Sequence, residues 1–276
     1  MYETVVARSG SSWDEAYIQS LGIKIKEVAS EEQFFGFPLP TLFKNQSDID
    51  IVSSLSLSTT QDLENACCNI DNPPYVLELL HALLQCLEYS ITEESANDEL
   101  GKALLRLSGI FGTRGITMMG PKQLPLMIAG EKKYANPDIV VQKIGSKILL
   151  LVQEDKRTSD ALSINPEPQL CAEIIAAFGK NIQNNTEQTQ LIYGIINLGS
   201  YFTFYKCKMT KDAFLSIQSG YIRCKDIITI EKFRLSKRVS SRYMVDSKEN
   251  MRKVLQCYEA LRILIEDLSN NLDNSM

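Results

Sequence analysis

Two adjoining stretches, Pro137-Asp-Ile-Val-Val-Gln-Lys-Ile144 and Lys147-Ile-Leu-Leu-Leu-Val-Gln-Glu-Asp-Lys156, decide the fold. Each is a short run rich in branched aliphatic residues, and Gly145-Ser146 between them supplies a turn, so they read as two paired strands. The second is apolar on both faces of the pleat over Ile148-Leu-Leu-Leu-Val152, which predicts a central position in a sheet. Because side chains alternate along a strand, Glu154 and Lys156 share one face and Asp155 takes the other.

Outward from this pair the periodicity changes. Upstream, Leu124-Pro-Leu-Met-Ile-Ala-Gly130 reads as a further strand, and two helices precede it. The first follows the start signal Asp71-Asn-Pro-Pro74 and repeats Val76, Leu79, Leu80, Leu83, Leu84 and Leu87 at helical spacing, giving a helix over 74–90. The second buries Leu100, Ala103, Leu104 and Leu107, with Thr92 or Ser95 as its cap, and stops near Gly109 or Gly112. Downstream, Asn165-Pro-Glu-Pro168 opens a helix to about Ile182 that buries Leu170, Ile174, Ile175 and Phe178. Strands over 190–197 and 201–207 follow, hinged at Gly199-Ser200, and a last helix from Ser247 to Leu268 carries Met251, Val254, Leu255, Tyr258, Leu261, Leu264 and Ile265 on one side. The first 65 residues are loosely patterned: Leu21–Val28 alternates as a strand would, and Phe34-Phe-Gly-Phe-Pro-Leu-Pro40 reads as turn or extended chain because of its prolines. The order helix, three strands, helix, two strands predicts an α/β protein with a mixed sheet flanked by helices. Residues 1–90 form an acidic N-terminal extension with the helix 74–90, and 91–276 a main domain closed by the C-terminal helix.

Composition excludes several classes. With 276 residues and 44% hydrophobic content, the chain can bury a core without staples. The longest aliphatic run is far short of the ~20 residues that cross a bilayer, so no membrane is expected as a partner. The first residues, Met-Tyr-Glu-Thr-Val-Val-Ala-Arg, lack a basic region followed by an apolar one, which argues against secretion by that route. Seven cysteines at irregular spacing, with no C-x-x-C pair, exclude a zinc ribbon and favour a reduced intracellular compartment, nucleus or cytoplasm. The single histidine, His81, borders an apolar helix face; any Ser-His-Asp or Cys-His scheme would have to pass through it. The net charge of −5 is uneven: residues 1–110 carry −11 and residues 201–260 carry +7. Such a chain is no general nucleic-acid coat, yet its basic third offers either a phosphate-binding surface or simply a solvated face. Lys232-Phe-Arg-Leu-Ser-Lys-Arg238 reads as a solvated loop, with a nuclear-import or phosphate patch as the alternative. Tyr201, Phe202, Phe204 and Tyr205 read as sheet core before a base-stacking platform.

The chemistry-bearing constellation is Asp138 with Glu154 and Lys156. If the hairpin pairs position 138 with 154, the two carboxylates lie directly opposite, with Cβ atoms about 4.5–5.5 Å apart. They repel unless they share a cation, and hard oxygen ligands at that spacing suit Mg²⁺ (or Mn²⁺). A strict two-residue turn would instead pair 138 with 153, so the reading requires a three-residue turn or a bulge. The alternative is a surface hairpin with a cross-strand ion pair.

Pro137-Asp138 followed by Glu154-x-Lys156 on neighbouring strands resembles the PD-(D/E)xK nuclease superfamily in residue type, order and strand placement. Leu151-Val-Gln-Glu-Asp-Lys-Arg157 and Glu167-Pro-Gln-Leu-Cys-Ala-Glu-Ile-Ile-Ala-Ala-Phe178 also resemble an uncharacterised fungal group with this core. The likeness covers about residues 95–210, plus the final helix for the fungal group. It implies a restriction-endonuclease-like α-β-β-β-α-β core, with a helical N-terminal extension and a C-terminal helix. It further implies that Asp138, Glu154 and the main-chain carbonyl of Asp155 hold Mg²⁺ or Mn²⁺, while Lys156 orients water or contacts phosphate. Glu99, with Asp98 as its rival, would bring a third carboxylate from the first core helix. Gln169 resembles the glutamine of the exonuclease-like branch. Glu173, one helical turn on, would line the same cleft for substrate, the alternative being a solvated helix residue. The implied activity is metal-dependent hydrolysis of phosphodiester bonds in nucleic acid, DNA ahead of RNA. Two other expectations stand beside it: a nuclease-fold protein that binds without cutting, and an interaction module whose acidic N-terminal region docks a protein partner.

Overall fold

A computed structural model describes residues 5–55, 57, 59–69, 71–89, 95–111, 115–145, 147–154, 165–183, 188–222 and 227–273, with backbone alone at 89, 95–96, 152–154 and 272–273. The first elements are short and individually capped. Helix α1 (Glu15–Ser20) starts at Asp14, whose carboxylate accepts from Tyr17 N at 2.7 Å, and it leads into strand β1 (Ile23–Glu27). Helix α2 (Glu31–Phe35) begins at Ser30, whose hydroxyl accepts from Gln33 N, and ends on Gly36 at φ +88°. Phe34 and Phe35, expected in turn or extended chain, thus close a helix: a serine cap and two acidic first-turn residues suffice to start one ahead of the prolines. Helix α3 (Gln46–Ser54) and helix α4 (Thr60–Cys67) follow, the latter opened by a Thr59–Asp62 capping box. Helix α5 (Pro74–Tyr89) and helix α6 (Ser95–Leu107) realise the two leucine-rich periodicities.

The remaining elements are β2 (Ile116–Met119), β3 (Leu124–Ile128), β4 (Glu131–Ala135), β5 (Ile139–Lys143), β6 (Ile148–Glu154), α7 (Glu167–Ile182), β7 (Thr189–Leu198), β8 (Tyr201–Thr210), α8 (Lys211–Ser219), β9 (Ile228–Arg234), α9 (Tyr243–Asp246) and α10 (Lys248–Asp273). Seven strands form one mixed sheet in the order β1-β9-β8-β7-β6-β5-β2, so the molecule is a mixed α/β protein. Pairing is parallel for β6 with β7 and for β1 with β9, and antiparallel elsewhere. The stretch expected as the first strand of this sheet, 124–130, stands apart. Its β3 pairs with β4 in a separate hairpin, closed by Ala129 and Gly130 at φ +49° and +78°, the backbone of a tight two-residue turn. The place beside β5 belongs to β2. Lys232 to Arg234, expected in a solvated loop, are likewise strand, the end of β9.

Both sheet faces are covered. On one, Ile139, Val141, Leu150, Tyr193, Ile195, Phe202 and Phe204 pack with the apolar stripes of α5, α6 and α10 and with buried residues of α2, α3 and α4. On the other, Val140, Leu151, Ile192, Ile196, Tyr205 and Cys207 pack under α7 with α1 and α8. Ile148 to Leu151 are buried throughout, as expected for a central strand, and the aromatic run on β8 is core. Among the described residues no helix is long and apolar enough to cross a membrane.

The topology also orients the ends. Strands β6, β7, β9 and β1 all run the same way, so their carboxyl ends lie at one edge of the sheet. Asp138 immediately precedes the antiparallel β5 and so stands at that edge. Helix α7 runs back over the sheet from there: the Asn181 amide near its far end grips Ile148, at the start of β6, through N (2.7 Å) and O (2.9 Å).

Candidate functional site at the carboxyl end of the sheet

The register of β5 against β6 is the first determinant. Ile139 pairs with Val152, Val140 with Leu151 and Val141 with Leu150; then the ladder shifts, and Gln142 pairs with Ile148. Lys143 N donates to Lys147 O at 2.8 Å, so three residues separate the closing pair. A three-residue turn and a one-residue bulge thus both occur. Each moves the pairing by one position, and in sequence they cancel, so the ladder continued one step sets 138 against 153. The expected alignment of Asp138 directly across from Glu154 is therefore corrected. The physical reason is core packing, since the bulge lets Leu149 and Leu150 enter the same hydrophobic cluster. Asp138 itself is half-buried in a bend just before β5, outside the pleat.

Helix α7 supplies the second determinant. Residues 170–179 are apolar on every side except at Glu173, and a helix apolar all round is a buried one. Glu173 accordingly has 0% exposure, which overturns the solvated-helix alternative. Its Oε1 accepts from Gln169 Nε2 at 3.2 Å, while Oε2 is buried without a hydrogen-bond partner. Burial holds the Glu173 carboxyl well above the usual carboxylate range; the Gln169 hydrogen bond opposes this rise and the nearby charge of Asp138 adds to it. Gln169 and Glu173 of α7 are thus joined, with Asp138 close enough for its charge to act on Glu173. The all-apolar context of Glu173 was the signal in the sequence that it lies inside.

The third determinant is α6. Asn97 in its first turn is buried; its carbonyl accepts from Asn197 Nδ2 at 3.0 Å and its Oδ1 from Cys86 Sγ at 3.2 Å. Asn197 is the parallel-ladder partner of Glu154, so the start of α6 docks beside the end of β6. Asp98 is half-buried, whereas Glu99 is exposed and pairs with Lys102 at 2.7 Å. His81 is exposed on α5. The Glu154 side chain, Asp155 and Lys156 lie outside the described residues, as does Thr92.

The N-terminal end of α7 is anchored at the same edge. Glu167 Oε1 accepts from Tyr205 OH at 2.7 Å and pairs with the Lys232 ammonium, tying the helix to β8 and β9. Burial, and then the charge of Glu167, push the Tyr205 phenol well up. Among the described residues no group of three or more His, Cys, Asp or Glu side chains could hold a metal ion. The donors that do gather, Asp138 and Glu173, nevertheless suit a hard cation in kind, being carboxylate oxygens of which one is desolvated and orphaned. Compared with protein-family models and with curated proteins, the chain matches none.

Proposed function

We propose that the chain is a nuclease of the PD-(D/E)xK type, hydrolysing phosphodiester bonds of nucleic acid, DNA ahead of RNA, with Mg²⁺ or Mn²⁺. The observation that carries this reading is the path α6-β2-β5-β6-α7-β7. With the β3–β4 hairpin set aside as an insertion, it follows the α-β-β-β-α-β order, and Asp138 and Glu154 stand at the same end of adjacent strands. Asp138, Glu154 and the main-chain carbonyl of Asp155 would hold the ion, with Glu99 or Asp98 as a further carboxylate from α6. A divalent ion so bound lowers the pKa of a coordinated water and neutralises charge on the phosphoryl oxygens. Lys156, a compact cation, orients the attacking water or meets the scissile phosphate. Gln169 holds one oxygen of the buried Glu173 and so would fix that side chain near Asp138.

The register between β5 and β6 favours a second reading, a protein of this type that binds nucleic acid without cutting it. One experiment separates the two. Calorimetric titration with Mn²⁺ of the wild type and of Asp138→Asn, with oligonucleotide cleavage followed in Mg²⁺, should give uptake and cleavage by the wild type and neither by the variant. Lys156→Ala should keep the uptake and lose the cleavage. Absence of Mn²⁺ uptake by the wild type removes the enzymatic reading.

A further inference from the structure

The segment after β9 follows the carboxyl edge of the sheet and is pinned there. Ser200 N and Ser200 Oγ both donate to Ser241 O, at 2.7 and 3.0 Å, and Met244 N donates to Ser200 Oγ at 3.1 Å. Gly199 allows this approach: it sits at φ +58°, and a Cβ there would stand 2.5 Å from Ser241 O. The loop is also held from below, with Tyr201 OH donating to Ser236 O at 2.6 Å and Tyr243 OH to Leu235 O at 3.3 Å. Within it, Arg238 N donates to Ser236 Oγ and Arg242 N to Ser240 Oγ. The pinned turn, Gly199-Ser200, follows directly on the strand end that carries Asn197, the ladder partner of Glu154. Ser241 of the loop is therefore held at the carboxyl end of β7, the strand next to β6.

Its charges differ from those around it. Lys206, Lys232 and Arg234 of the same basic third are neutralised by Glu231, Glu167 and Glu27. Lys237 and Arg238 are exposed and have no ion-pair partner among the described residues. Arg238, next to Lys237 in the chain, borders a hollow of about 740 Å³ lined also by serine hydroxyls and Arg242, in which the one acidic residue, Asp246, accepts from Ser240 Oγ at 3.0 Å. Two uncommitted cations on a rigid loop, at the end of parallel strands where α/β sheets bind ligands, suit a regularly charged polyanion.

We propose that the loop 236–242 grips the phosphodiester backbone of the nucleic acid lying across this edge, with Lys237 and Arg238 as the phosphate contacts. The inference rests on the nuclease reading for the site it serves, but it concerns binding alone. The pinning supplies preorganisation, so little side-chain and loop freedom is lost on association. Phosphate contacts position the polymer and carry no sequence preference of their own.

The test is fluorescence anisotropy with a short labelled DNA duplex in EDTA, over a range of salt concentrations. Each phosphate contact contributes about 0.9 to the slope of log affinity against log salt, so Lys237→Ala/Arg238→Ala should lower the slope by roughly 1.8 and weaken binding at low salt about tenfold or more. Lys208→Ala, on the opposite end of β8, should leave the slope unchanged, and both variants should melt as the wild type does. The proposal is overturned if wild type does not bind, if the double variant keeps the wild-type slope, if Lys208→Ala lowers it equally, or if polyglutamate competes as well as DNA. Loss of slope in the double variant of a protein that takes up no Mn²⁺ and cuts nothing would uphold the grip while ending the nuclease reading.

Discussion

Gln169 donates to one oxygen of Glu173 at 3.2 Å, and the other oxygen of that carboxylate is sealed in the core with no partner. A carboxyl raised in the folded state binds a proton that the unfolded chain has released, so it favours folding below the ordinary glutamate range and opposes it above. Stability should therefore fall as pH rises from about 4.5 through the elevated value in the native protein, at up to about 1.4 kcal/mol per pH unit. Glu173→Gln should abolish this component and be the more stable protein at pH 8. Urea midpoints measured across the pH range check it; parallel profiles for the two proteins would refute the assignment.

Gly199→Ala should destabilise by about 2–4 kcal/mol, because it adds a left-handed conformation for an L residue to a collision with a main-chain oxygen. The lost pin should also loosen the loop 236–242, read as faster amide exchange at Met244, whose N–H bonds Ser200 Oγ. Unchanged exchange there would show that the loop holds itself.

Asn181 completes the sheet where the chain cannot. Its side chain answers both the N–H and the carbonyl of Ile148 at a point where β6 and β7 are not paired, since their ladder begins at Leu150. Asn181→Ala should leave both groups buried and unsatisfied and lower stability by about 2–4 kcal/mol. Denaturant titration measures this, and a loss below about 0.5 kcal/mol would mean that water or a shift of β7 replaces the amide.

Thiol reactivity should divide sharply. Cys68 is exposed, whereas Cys171, Cys207 and Cys257 are buried, with their pKa values raised first of all by desolvation, that of Cys207 to about 12. An alkylating reagent at pH 8 should modify Cys68 within the native protein and reach those three only after denaturation. Mass mapping of the adducts checks the order, and native labelling of Cys207 would contradict the packing under α7.

Much of the fold was legible because its central pieces have unambiguous periods. The double-faced apolar run Ile148–Val152 marked the middle strand, and the stripes of α5, α7 and α10 marked the helices. The pieces that were not legible are those whose environment is one-sided or thin. Ile116-Thr-Met-Met119 is four residues with one fully buried side chain, and Glu131-Lys-Lys-Tyr-Ala135 buries only its last residue. Ile228-Thr-Ile-Glu-Lys-Phe-Arg234 breaks its alternation at Phe233, and its charges find partners on β8, on the edge strand and on α7, which no local pattern reveals. At the site, the residue types at 138 and 154 were readable, but their register was not. It depends on a turn and a bulge offsetting each other so that Leu149 and Leu150 can enter one cluster.

The outermost strand carries a timing consequence. Ile23 pairs in parallel with Ile228, so β1 has no sheet to join until a segment more than two hundred residues further along has been made. At roughly 5–20 residues per second on the ribosome, it waits for tens of seconds or close to that. Lys24, Lys26 and Glu27, which leave only Ile23 and Ile25 to be sheltered, keep this waiting ribbon soluble and discourage it from adopting another chain's edge. Replacing Lys24 and Lys26 with valine would be expected to spare the finished molecule and penalise its biogenesis, with yield falling into inclusion bodies before any change in the melting curve.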